Sequence, residues 1–363
     1  MFGWIRLASP ARPAAVWLKI LGPAIPAIGA RMTSPSTTLH PPAIPLRSAP
    51  SVRHLPVNLF ASVMGLSGLA LAWRQAAGQF GAPPLVGEAI GVFALVVFVV
   101  LAAAYLAKLT RHTDAVIAEF RHPVAGNFFG TIVIAVLLLS AVLQPYSSAL
   151  AIVVWTLGTV ATFALSGVVV SRLLRGGIDA KFAVPAWVIP GVATLDIAVT
   201  GAQMPMPWAA EVNWAAMALG TVLALVLLVM VLSRLVHHDP LASAMVPSLM
   251  VLIGPFAVGF LAYTAMSGAV DRFASMLFYF ALFIFVVLAP KVFRRDVPFA
   301  PAWWAIGFPL AALSNAALHY AAVHAAWPLQ AIAIALLAFL TVVLAVLTVR
   351  TLRIAIDGRL LAG

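Results

Sequence analysis

Ten apolar stretches, each about as long as a bilayer is thick, follow one another from residue 55 to 350 with only short loops between them. A hydrocarbon core of ~30 Å takes ~20 helical residues to cross. The stretches 55–73, 86–108, 127–144, 148–173, 184–203, 208–235, 246–267, 272–291, 300–320 and 327–350 approach or exceed that length. Lipid offers no hydrogen-bond partner to an open strand edge, so spans of this kind are helices. Composition agrees: 64% of residues are hydrophobic and 9% are charged, which is too little polar surface for a soluble domain of this size. The expected fold class is an all-α polytopic membrane protein with ten transmembrane helices.

A net charge of +11 would suit a nucleic-acid partner if the cations gathered on one soluble face. They do not, and no nucleic acid is expected. Lys108, Arg111 and Arg121 flank the second loop, Arg172, Arg175 and Lys181 the fourth, and Arg234 the sixth. Lys291, Arg294 and Arg295 flank the eighth, with Arg350, Arg353 and Arg359 after the last span. The opposite loops hold only Arg74 and Arg272. Positive charge marks the cytoplasmic side, so both termini are expected there, in a bacterial inner membrane. Trp208, Trp303, Trp304 and Trp327 lie near span starts, where interfacial anchors and ordinary packing aromatics are both open readings. Residues 1–50 are interrupted by prolines and are expected to be disordered, with Met32 a candidate start; 356–363 form a short tail. Cysteine is absent, which removes disulfides and thiolate chemistry.

Three odd-numbered spans carry proline within the apolar run: Pro190, Pro255 and Pro309. In an α-helix each would strip the carbonyl four residues earlier, at Ala186, Val251 and Ala305, and a bare carbonyl in hydrocarbon must face protein or water. Three such sites in alternating spans suggest helices bending around a common axis. Gly307-Phe308-Pro309 is the sharpest of them. Phe308 reads either as one packing phenylalanine of 21 or as a ring plugging a narrow pore. Asp196 is the lone acid near the centre of a span. Two readings stay open for it: a pathway or proton site, or a structural hydrogen bond to Thr194, Thr200 or a neighbouring helix. Asn315 reads as a helix-to-helix hydrogen bond. His237-His238 and the pair His319 and His324 have no convergent third ligand, so no metal is expected, and no phosphate loop or other cofactor motif is present.

These features together resemble the TehA tellurite-resistance and plant slow-anion-channel family, which includes malate and C4-dicarboxylate permeases. The first span, LPVNLFASVMGLSGLALAW, is similar to that family's opening helix. YLAKLTRHTDAVIAEFRHPV matches its Tyr-x-x-Lys-Leu stretch and its later Ala-Glu-aromatic-x-x-Pro-Val, on Glu119, Phe120, Pro123 and Val124. WAIGFPLAALSN, from Trp304 to Asn315, resembles its gate helix. The match runs over about residues 54–355. It implies five helical hairpins around a central pore, with odd helices lining it, usually as a homotrimer with one pore per subunit. It also implies that the family's gating phenylalanine falls on Phe308. The sequence departs from the pattern where the first and third spans lack a kinking proline, and where Asp196 replaces an apolar residue.

The expected function is passive conduction of small inorganic or organic anions, gated by Phe308, with Pro190, Pro255, Gly307 and Pro309 as kinks lining the pore. The alternative is a C4-dicarboxylate permease using Asp196 as its proton site. A remote third reading is an integral-membrane enzyme, which requires Asp196 and the outer histidines to converge; they are expected at different depths.

Overall fold

Each odd-numbered span begins as a 3-10 helix and becomes an α-helix partway across. In the computed structural model, which describes residues 51–361, the change falls at the start of α1 (Phe60–Phe80), α4 (Gly130–Leu143), α6 (Ile189–Gly201), α8 (Gly254–Ser267) and α10 (Gly307–His324). The preceding 3-10 segments are Val57–Leu59, Ala125–Phe129, Pro185–Val188, Ser243–Ile253 and Pro301–Ile306. The partner helices are α2 (Pro84–Arg111), α5 (Ser148–Arg175), α7 (Ala209–His237), α9 (Arg272–Val292) and α11 (Trp327–Ile356), and a short α3 (Thr113–Arg121) links α2 to the third span. The expected disorder of residues 1–50 falls outside the described residues.

The prolines act differently from a kink in mid-helix. Pro190 and Pro255 sit in the first turn of α6 and α8, where a missing amide hydrogen costs nothing. The carbonyls they would have stripped are not bare. Ala186 accepts from the Ile189 amide and Val251 from the Gly254 amide, each in the shorter 3-10 pattern. The residue before proline thus supplies the donor that proline lacks. The same change of helix type occurs at Phe60 and Gly130 without a proline at that point, so the device is common to all five spans.

These five helices close a ring, each packed on the next in the order α1, α4, α6, α8, α10 and back to α1. Each also packs on the long helix that follows it, which makes five hairpins. Burial separates the two sets. In the most apolar window, 78% is buried in the first and ninth spans and 61% in the third and seventh, against 17% to 39% for the even spans. Among the described residues, nine helical stretches are long and apolar enough to cross a membrane, and Pro185–Gly201 is a shorter apolar helix. Its 3-10 start rises faster per residue than an α-helix, so it extends over ~27 Å, close to the ~30 Å core.

Both described ends lie on one face, where the Ser51 amide donates to Leu361 O at 3.1 Å. We call this the terminal face and the other the distal face. The chain crosses between them with every span, so the cations of the even-numbered loops fall on the terminal face. Glu119, on α3, anchors the first hairpin there. It accepts from the Val57 amide at 2.8 Å, the Tyr105 hydroxyl at 3.0 Å and the Lys108 ammonium at 2.6 Å, while Lys108 also donates to Leu55 O at 2.7 Å. Lys108 and Glu119 are therefore structural, and the Glu119 carboxylate caps the 3-10 start of the first span.

Candidate functional site

Two cavities lie end to end on the ring axis, and every one of the five inner spans contributes to both. The distal chamber holds about 280 Å³. Its first lining residue along each helix is Gly68, Leu138, Asp196, Val258 or Phe308, one from each span. The proximal cavity, toward the terminal face, is apolar and holds only about 20 Å³, little more than the room one water needs. Among the described residues, Phe308 alone borders both. Its side chain is 6% exposed, turned into the ring and away from lipid.

Local sequence explains that placement. A Cβ on Gly65 would meet Gly307 Cα at 3.2 Å, and one on Gly307 would meet Gly65 Cα at 3.3 Å. Glycine at both positions lets the α1 and α10 backbones touch, and the first turn of α10 then directs Phe308 inward. Pro309 borders the proximal cavity. Pro190 and Pro255 are buried, but their chain neighbours Ile189 and Gly254, not the prolines, line it. Gly307 is a helix contact.

Asp196 sits in the chamber floor at 1% exposure, and its Oδ2 has no hydrogen-bond partner. The structural alternative named Thr194 and Thr200, yet neither reaches the carboxyl. Thr194 bonds Pro190 O and Ser166, and Thr200 donates to the main-chain oxygen of Asp196. Asn315 does join helices, as read from sequence: its Nδ2 donates to Gly68 O at 2.9 Å and Ala311 O at 2.8 Å. It also borders the chamber, with Gln75, Gln203, Thr264 and His319. His319 lies about three turns beyond Phe308 on α10, so the chamber's acid and its histidine are at different depths, and no hydrogen bond joins them. His324 is exposed and packs on the Tyr320 ring at 4.3 Å.

The cavities contain no lysine or arginine among the described residues. Gln75 and Gln203 escaped sequence reasoning because both stand at span ends, where a polar residue signals only a boundary. Of the two readings open for the tryptophans near span starts, Trp304 takes the packing one. It is 2% exposed, lines the proximal cavity and bonds Thr351 Oγ1 at 2.8 Å, so it is not an interfacial anchor; Trp208 and Trp327 are exposed.

The sequence pattern of the family described as voltage-dependent anion channel, SLAC1, matches residues 54–352. The guard cell S-type anion channel SLAC1 of Arabidopsis thaliana is 26% identical over 315 residues, covering 84% of this chain and 56% of the plant protein. An uncharacterized transporter of Methanocaldococcus jannaschii is 27% identical over 288 residues, covering 72% of this chain and 82% of its own length. The tellurite resistance protein TehA homolog of Haemophilus influenzae is 25% identical over 268 residues, covering 72% and 80%. The chain thus spans about half the length of the plant relative.

Proposed function

The chain belongs to the voltage-dependent anion channel family, and on that basis we propose that it conducts small inorganic or organic anions passively through the ring, with Phe308 as the gate. One observation carries this reading: among the described residues Phe308 alone borders both of two cavities to which all five inner spans contribute. A constriction lined by apolar groups excludes water, and without water an ion cannot pass.

Electrostatics supports an anionic permeant. All five inner spans start at the terminal face, so the positive ends of five helix dipoles surround that entrance. The cations of the same face raise the local anion concentration. With no fixed cation inside the cavities, an entering anion is attracted without being trapped. The positive-inside rule makes the terminal face cytoplasmic, in a bacterial inner membrane. We also propose the homotrimer that the family resemblance implies. Exposed Val99, Val100, Phe283 and Val342 on the even helices leave apolar surface for lipid or for further copies of the chain to cover.

Asp196 favours a second reading, a proton-coupled permease for C4-dicarboxylates, because an unpartnered carboxyl in the chamber floor is a place to hold a proton. The enzyme reading asks for Asp196 and the outer histidines within hydrogen-bonding reach; Asp196 and His319 line one chamber without a hydrogen bond between them, and His324 is not in its lining. The test is a planar-bilayer recording of the purified protein under a salt gradient, with chloride, nitrate, sulfite and malate compared. Passive anion conduction is expected to reverse near the anion equilibrium potential. Absence of current with all four, or reversal at the cation potential, would remove the proposal.

A further inference from the structure

Another cavity lies off the ring axis. It holds about 510 Å³ on the terminal face, between α5, the loop that follows it and the starts of the third and fifth spans. Arg121, Arg172, Arg175 and Lys181 all line it, with Asp179 as the one carboxylate. Asp179 is already engaged: its Oδ1 accepts from the Lys181 amide at 2.9 Å and its Oδ2 meets the Lys181 ammonium at 3.0 Å. That amide and that ammonium hold its carboxyl below the usual range, so Lys181 is spoken for. The three arginines make no salt bridge to an acid among the described residues, and residues 1–50 contain no Asp or Glu.

Three guanidinium groups around one hollow, without a carboxylate of their own, are matched to an oxyanion with several oxygens. Packing fixes Arg172 in place there. Its guanidinium carbon lies 4.3 Å from the centre of the Phe120 ring, and Gly126 leaves the room it occupies. Gly176 and Gly177 form the rim with φ of +68° and +77°, so no side chain shields the hollow on that side. Leu174 is exposed beside it and Ile178 is exposed in its lining, apolar surface that suits acyl chains.

We propose that this hollow binds a phosphate group, and that an anionic phospholipid headgroup reaches it from the membrane. Basic hollows between helices on the cytoplasmic side suit such headgroups. The site stands behind the pore wall. Asn127 and Trp187 line it, while Phe128 and Ile189 of the same two segments line the proximal cavity, and Trp187 Nε1 ties the segments by donating to Pro123 O at 2.9 Å. A bound headgroup therefore braces the third and fifth spans where the conduit is narrowest.

Native mass spectrometry of the whole protein in detergent tests this, with phosphatidylglycerol, phosphatidylcholine and inorganic phosphate titrated separately. Wild type is expected to retain phosphatidylglycerol over phosphatidylcholine. Arg121→Gln with Arg175→Gln changes two exposed side chains, and each loss should weaken binding roughly fivefold, so the pair by about twenty-five-fold. Arg172→Gln should do the same through a different residue. Inorganic phosphate bound with the same sensitivity to these variants, in place of lipid, would support the site and identify a soluble source. Wild-type affinity in the double variant, an equal loss in the control pair Arg111→Gln and Lys291→Gln, or no binding of either phosphate probe would overturn the proposal. Binding is read without current, so a protein that conducts nothing still gives an answer.

Discussion

Asp196 is the residue on which the two transport readings part. Its unpartnered Oδ2 faces a chamber that an anion must cross in either case. For passive conduction we expect Asp196→Asn to keep its anion current without a proton gradient. Uptake that depends on such a gradient and vanishes in the variant would favour the permease. Glu119 shows the opposite case, a charge that serves structure. It accepts three hydrogen bonds, and the side chain of Lys108 opposite is 4% exposed. Glu119→Gln leaves that ammonium without its counter-charge and should cost about 3 kcal/mol, read as a lowered melting temperature in detergent. Sequence singled out both residues, one as an isolated acid and one within a family-like stretch. It could not say which was satisfied, because the partners of Glu119 stand 11, 14 and 62 positions away in sequence and are brought to it by packing alone.

At the scale of elements, close backbone approach holds the ring and its outer layer together. A Cβ on Gly191 would stand 2.5 Å from the Ala224 amide nitrogen, so α6 and α7 touch main chain to main chain, as small residues allow in lipid. Gly191→Leu is expected to force these helices apart at a cost of about 1–3 kcal/mol or more, seen as loss of folded protein on gel filtration. Asn315→Ala removes the bond from α10 to α1 and should cost about 1 kcal/mol, seen as a small fall in melting temperature. Span positions were legible because hydrophobic length is a property of the chain itself. The short helix α3 was not, since its nine residues carry a one-sided apolar stripe inside what reads as a loop. Nor was the change from 3-10 to α-helix: Pro190 and Pro255 marked where it occurs, but the rescue of Ala186 and Val251 by the preceding amides depends on backbone geometry.

Over the whole molecule, alternation of burial is the organising fact. Inner spans bury most of their surface, and outer spans present theirs to the membrane, so the sequence pattern of long apolar stretches conceals two populations with different solvents. The ring they form is closed, and along it lie two cavities that Phe308 borders. Replacing the Phe308 benzyl group by a methyl group should join the 20 Å³ and 280 Å³ cavities into one wetted path. The most direct test is steady-state anion conductance of Phe308→Ala beside wild type in planar bilayers, with equal amounts of folded protein. A rise of at least about tenfold is expected, since a dewetted constriction is the main barrier to the ion. Unchanged conductance in the folded variant would contradict the account.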